Sequence, residues 1–323
     1  MRVLIIGGGG FLGQKIARAL AASGRLNGAP ITHVALADLA APAPVEAPFG
    51  VSAHAADIGD AAQARALFEA SPDVVFHLAA VVSGQAEAEF DLGMRVNVDG
   101  TRNVFEAARA LGTSPVVVFT SSCAVYGGEI PEAIEDWTQV NPQTSYGAQK
   151  AIGELLCTDY SRKGFIDGRA PRLPTVTIRP GRPNAAASSF MSSIFREPLQ
   201  GEEAVCPVEE DYALWYASPR ATVANLIACA EVDAAALGEN RAFALPGRVG
   251  TIGEMIEAMR RVAGDDPVRR IRFEPDETIR AIVSGWRPHI NPRKALMLGL
   301  TADASFEDNV RYFLEDDVRR EPA

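Results

Sequence analysis

Tyr146 and Lys150 stand four residues apart in a stretch of helical periodicity that follows Asn141-Pro142, so both side chains leave one face of a helix. An ammonium beside a phenol lowers the phenol's pKa from its ordinary value of about 10 and readies it as a general base near neutral pH. Ser122 ends the run Phe119-Thr120-Ser121-Ser122, where its hydroxyl can bond a reacting oxygen and share its charge. Together the three groups suit an alcohol that loses its O–H proton to Tyr146 while its carbon gives up a hydride. Taken singly, such a Tyr/Lys spacing arises by chance and a serine pair is ordinary turn chemistry, so the reading rests on their joint placement.

A hydride needs an acceptor, and the N-terminal region has the pattern of a dinucleotide site. Gly7, Gly10 and Gly13 follow the apolar run Arg2–Ile6 and open a helical pattern at Phe11 and Leu12. Bare backbone there lets a pyrophosphate reach the free N–H groups of the helix. Glycine would also serve a tight turn alone. Asp38 ends the second apolar run, where a carboxylate accepts from the adenosine ribose hydroxyls and repels a 2′-phosphate, favouring NAD over NADP; the lesser alternative is that it simply starts the turn before the Pro-rich loop. Asp57-Ile58 could hold the adenine edge or cap the helix at Gly59-Asp60. Leu78, Ala79 and Ala80 would let a cofactor lie flat, while His77 reads as a core residue.

The elements that must position these groups alternate in βαβ rhythm. Strands are expected at Arg2–Ile6, His33–Ala37, Val51–Ala55, Val74–Ala79, Val116–Thr120 and Thr175–Arg179, each apolar enough for burial on both faces. Helical periodicity fills Phe11–Ser23, Ala61–Ala70, Phe90–Leu111 and Tyr146–Ser161, with a Pro-rich surface excursion near residues 40 to 50. The expected fold class is α/β, a Rossmann-type doubly wound parallel sheet over residues 1–180. Residues 181–323 are expected to form mainly a smaller substrate-binding lobe, with some segments returning to the sheet.

Composition narrows the partners. A formal charge of −10 and the lack of a Lys/Arg cluster mixed with aromatics argue against nucleic acid. The N-terminal apolar run is too short for a signal core or a membrane span, so a cytoplasmic protein with no membrane partner is expected. Four scattered cysteines and four histidines fall in no metal-ligand spacing, so no metal is expected.

With these residues in view, the chain resembles the extended short-chain dehydrogenase/reductase superfamily of nucleotide-sugar epimerases and dehydratases. The likeness runs through the glycine series, Asp38, Asp57-Ile58, His77-Leu78-Ala79-Ala80, Asn97, Ser122-x-x-Val125-Tyr126-Gly127 and Tyr146-x-x-x-Lys150. It implies an NAD-dependent dehydrogenase of that kind, with Lys150 also on the nicotinamide ribose. By the same likeness Asn97 buttresses the core, Pro180 follows the strand beside the nicotinamide, and a homodimer pairs the helices near Phe90–Leu111 and Tyr146. Ile6 replaces the family's usual Thr, which removes a hydrogen bond from the glycine loop. Cys123-Ala124 replaces the Asp-Glu of the dehydratases, which disfavours elimination.

More narrowly, residues 179–190 and 196–202 resemble the D-erythronate dehydrogenase branch, implying oxidation of the C2 hydroxyl of a short sugar acid to the 2-oxo acid. A bound diphosphate would need cationic or N–H partners, and the acidic, then aromatic run Glu209–Tyr216 is a poor place for them. A carboxylate needs only one or two donors, and Ser83, Arg182, Asn184 and Arg220 are the candidates beside Ser122. The competing expectations are a nucleotide-sugar 4-epimerase with the same triad and a dinucleotide-sensing protein without turnover.

Overall fold

The computed structural model describes residues 1–181, 187–283 and 285–318. The chain forms two compact units, one made of Met1–Val125, Pro142–Arg172 and Val223–Phe243, the other of Tyr126–Asn141, Leu173–Thr222 and Ala244–Ala323.

In the first unit the order is β1 (Arg2–Ile6), α1 (Phe11–Ser23), β2 (His33–Asp38), β3 (Gly50–Ala55), α2 (Ala61–Ala66), β4 (Val74–His77) and α3 (Ser83–Ala88). Then come α4 (Thr101–Ala110), β5 (Val116–Phe119), α5 (Ser145–Arg162), β6 (Asp167–Leu173) and β7 (Ala242–Ala244). The sheet runs β7-β6-β5-β4-β1-β2-β3. β1 pairs in parallel with β2 on one side and β4 on the other, in a register that places Ile6 level with Ala37 and His77, and His77 level with Phe119. The order reverses between β1 and β4, and ligands of such sheets bind at this switch, beyond the carboxyl ends of the strands. Val3, Leu4, Ile5 and Ile6 are all buried, as are Val117, Val118 and Phe119, because helices cover both faces.

Several expected elements differ from those observed. The sixth strand of this sheet is β6, whose sequence Asp-Gly-Arg-Ala-Pro-Arg-Leu has no apolar run, although five of its seven residues are buried. Its arginines are matched internally: Arg169 donates Nε to the Cys229 carbonyl at 2.8 Å and Nη2 to the Val232 carbonyl at 2.7 Å, and Arg172 pairs with Glu154. Thr175–Arg179 instead gives a two-residue strand, Thr175–Val176, in a separate three-stranded sheet of the second unit. The expected helix Phe90–Leu111 is interrupted by a wide helical turn at Met94–Gly100.

The second unit has its own core. Phe195 and Tyr216 pack on Phe306 with ring centroids 4.8 and 5.3 Å away, and Ile252, Met255 and Met259 from the helix Ile252–Ala263 complete it. That helix starts at a reciprocal cap between Thr251 and Glu254.

Candidate active site

The glycine loop is built for close approach. Gly7 lies at φ +86°, and a Cβ there would come within 2.7 Å of the Ala79 nitrogen. A Cβ at Gly13 would strike the Gly7 carbonyl, so Gly13 seats α1 against the loop. Gly10 has only the Gly7 oxygen nearby, at 3.4 Å, and N-caps α1 with no side-chain hydrogen bond, leaving the N–H groups of Phe11 and Leu12 to the space beyond β1. The 13-residue helix aims its positive end at that space.

Two carboxylates face the same region. Asp38 accepts from Gly9 N at 3.0 Å through Oδ2 and from Leu39 N at 2.8 Å through Oδ1. Asp57 accepts from Gly59 N at 2.8 Å and from Arg95 Nη1 at 2.6 Å, while the cap of α2 is Asp60, which accepts from Ala62 N and Gln63 N. Gly7, Gly10, Asp38, Asp57, Ile58, Leu78, Ala79 and Ala80 line one cavity of about 320 Å³, together with Gln85, Arg95 and Val96, which sequence reasoning missed. Asn97 is behind this wall: its Oδ1 accepts from Val81 N at 2.8 Å, and its Nδ2 donates to the Val81 carbonyl at 3.0 Å and to Gln149 Oε1 at 2.7 Å. It ties the loop after β4 to α5.

The catalytic candidates meet where α5 crosses the end of β5. Thr144 caps α5 by accepting from Gly147 N. A side chain at Gly147 would strike the Ala124 carbonyl and one at Gly153 the Phe119 ring, so bare backbone lets the helix lie against the Ser122 segment. Lys150 Nζ donates to the Thr120 carbonyl at 2.8 Å and lies 4.8 Å from the Phe119 ring centre and 5.7 Å from that of Tyr146. Burial pushes its pKa down to about 7 against the opposing charge of Glu154. Ser122 Oγ accepts from Ala124 N at 3.1 Å, a bond made through a lone pair, so the O–H can still donate. His77 is fully buried, its Nε2 3.0 Å from Thr101 Oγ1, and burial followed by the Lys150 charge holds its pKa near about 3. It is a neutral core residue at physiological pH.

The cavity beyond β1 and the helix carrying Tyr146 and Lys150 lie beyond the carboxyl ends of one sheet, and comparison with known proteins gives this arrangement a family. The model of the NAD dependent epimerase/dehydratase family matches residues 3–213. The chain belongs to that family. Within this NAD dependent epimerase/dehydratase family the chain is 50% identical over 98% of both chains to D-erythronate dehydrogenase of Cupriavidus necator. It is 43% identical to the Haemophilus influenzae D-erythronate dehydrogenase over 98% of this chain and 100% of that one. The crystal structure of the nucleoside-diphosphate-sugar epimerase from Agrobacterium tumefaciens matches with a TM-score of 0.94 and 49% identity, covering 98% of this chain and 94% of that one. A GalE-like L-threonine dehydrogenase from Cupriavidus necator matches at a TM-score of 0.85 and 26% identity, over 98% and 99% of the two chains.

The cofactor is NAD, and the protein is an NAD-dependent dehydrogenase of this family. The residues present suit that cofactor: a glycine cradle that a Cβ would fill, an uncapped helix N-terminus and a carboxylate at the end of β2. The other candidate residues are spread out. Ser83 begins α3 in the first unit. Pro180 and Arg220 belong to the second unit, where Arg220 is held by Asp316 at 2.5 Å and Glu315 at 2.9 Å and lies 4.3 Å from the Tyr312 ring centre. Arg182 and Asn184 lie outside the described residues. Among the described residues no helix is long and apolar enough to cross a membrane.

Proposed function

We propose that the protein oxidises the C2 hydroxyl of D-erythronate, or of a similar short sugar acid, to the 2-oxo acid. The observation that carries this reading is the near-complete match, at 50% identity, to a D-erythronate dehydrogenase, joined to the placement of Lys150 beneath Tyr146. Tyr146 takes the hydroxyl proton as general base. Lys150, as ammonium, lowers the phenol's pKa and holds the nicotinamide ribose, and Ser122 donates to the substrate oxygen. The chemistry that bound NAD would supply is a hydride acceptor for C2. Gly7, Gly10, Phe11, Leu12, Gly13, Asp38, Asp57, Ile58, Leu78, Ala79 and Ala80 form the proposed cofactor seat, with Asn97 supporting it and Pro180 beside the nicotinamide.

For the substrate carboxylate we favour Ser83, Arg182 and Asn184 over Arg220, whose charge is already matched by two carboxylates. A cytoplasmic homodimer completes the proposal, supported by the exposed apolar side chains of Phe90, Ile152 and Leu155 on the helices expected to pair. The epimerase designation of the Agrobacterium protein favours a second reading, a nucleotide-sugar 4-epimerase using the same triad. Incubating the purified protein with NAD and a panel of four- to six-carbon aldonic acids, beside UDP-glucose, separates them. NADH formation with D-erythronate supports the dehydrogenase; UDP-sugar interconversion with no NADH from any acid supports the epimerase.

A further inference from the structure

Lys150 and Glu154 stand one turn apart on α5, and each grips the strand end that leads into Ser122. Lys150 Nζ donates to the Thr120 carbonyl at 2.8 Å, and the hydroxyl of the next residue, Ser121, donates to Glu154 Oε1 at 2.6 Å. From β6, Arg172 holds the same carboxylate with two prongs, Nε to Oε1 at 2.8 Å and Nη2 to Oε2 at 2.7 Å. Ser121, Lys150, Glu154 and Arg172 are all at most 5% exposed, so this network is dry. A buried ion pair adds little stability over apolar groups of the same volume. Its worth lies in what the carboxylate does to its neighbours.

We infer that Glu154 is a positioning residue for the reaction: it fixes the Ser121–Ser122 segment against α5 and keeps the Lys150 side chain charged, with Arg172 holding its carboxylate in place. This rests on the roles of Ser122, Tyr146 and Lys150 proposed above. The groups facing Lys150 and Glu154 are His77 on β4, Tyr146 and Cys157 on α5, and Arg172 on β6. His77 is neutral, Cys157 is held protonated by burial, and Arg172 is turned onto Glu154. Burial drives Lys150 towards its neutral form, and Glu154 is the anion that opposes this. Without that anion the ammonium loses its proton at lower pH, and the phenolate of Tyr146 loses its counter-charge.

The chain has four lysines, Lys15, Lys150, Lys163 and Lys294, so the Lys150 Nζ signal can be followed in full-length protein labelled with 15N-lysine. The variants are Glu154→Gln and the double variant Glu154→Gln/Arg172→Gln, which removes both members of the ion pair so that neither is left unmatched by the other. The double variant is expected to melt close to wild type, while its Lys150 titration and the alkaline limb of kcat both move to lower pH. The rate then falls about tenfold for each unit above the new midpoint, while below that midpoint, where Lys150 is still an ammonium, KM for NAD stays as in the wild type. A double variant with wild-type kcat, pH profile and Lys150 titration would overturn the inference. If neither variant folds, Ser121→Ala keeps both charges; kcat is expected to drop about tenfold, the size of one hydrogen bond to a charged group, and an unchanged kcat overturns the positioning. If the wild-type protein oxidises no sugar acid, the functional reading falls, and the Nζ titration still decides the role of Glu154.

Discussion

Asp38 turns both carboxylate oxygens onto backbone amides, and the bond to Gly9 ties it to the glycine loop itself. A carboxylate fixed in that place suits ribose hydroxyls and opposes a 2′-phosphate. Asp38→Ala is expected to weaken NAD binding and relax the preference against NADP, measured as the ratio of the two Kd values; an unchanged ratio would mean that the ribose is read elsewhere. Residues such as Asp38 were legible in the sequence because each ends an apolar run whose direction is known. Arg95, Gln85 and Val96 were not, since they reach the cavity from helical segments that only the fold brings to it. Glu154 carried one faint signal, its spacing of four from Lys150, but its partners Ser121 and Arg172 come from other elements.

At the scale of elements, α5 owes its position to glycines at 147 and 153, whose missing side chains admit the Ala124 carbonyl and the Phe119 ring. Gly153→Ala would push on the ring that Lys150 Nζ lies over at 4.8 Å. It is expected to cost about 1–3 kcal/mol of stability, as overpacking does, and to lower kcat through Lys150. Chemical denaturation beside the kcat measurement checks this, and an unchanged midpoint contradicts it. Apolar strands β1, β2, β4 and β5 were legible because burial on both faces demands their composition; β3, at the edge of the sheet, has no buried residue, so the burial expected of Val51–Ala55 is not met. β6 was not legible, because Arg169 and Arg172 read as surface residues until Cys229, Val232 and Glu154 supply their partners. Likewise, the amphipathic pattern of Phe90–Leu111 has no feature that marks the wide turn at Met94–Gly100.

For the whole molecule, the buried Lys150 has a cost in stability whose pH dependence follows from its shift. Lys150 titrates at about 7 in the folded protein and at its ordinary 10.5 when unfolded. Between those values the unfolded chain binds the extra proton, so this group makes stability rise with pH across that window. Lys150→Met is therefore expected to stabilise the protein more at pH 6.5 than at pH 10 while abolishing turnover. An equal gain at both pH values, read from denaturation midpoints, would contradict the burial of a charged lysine. The proposed homodimer makes a separate demand: light scattering at micromolar concentration should give twice the chain mass, and Leu155→Glu, placing a charge on a side chain 70% exposed, should give the monomer. A monomer mass for the wild type would remove the dimer. Two units assembled from interleaved stretches of chain leave little trace in sequence: the pattern changes near residue 180 and some later segments are expected to return to the sheet, but no local feature marks Val223–Phe243 as the stretch that does.

The most direct test of the account follows the NADH band with D-erythronate and NAD for the wild-type protein and for Tyr146→Phe. NADH should accumulate with the wild type and almost none with the variant, although the variant still binds NADH. A Tyr146→Phe protein that turns over D-erythronate at the wild-type rate would contradict the assignment of Tyr146 as the base, and with it the mechanism built on Lys150 and Ser122.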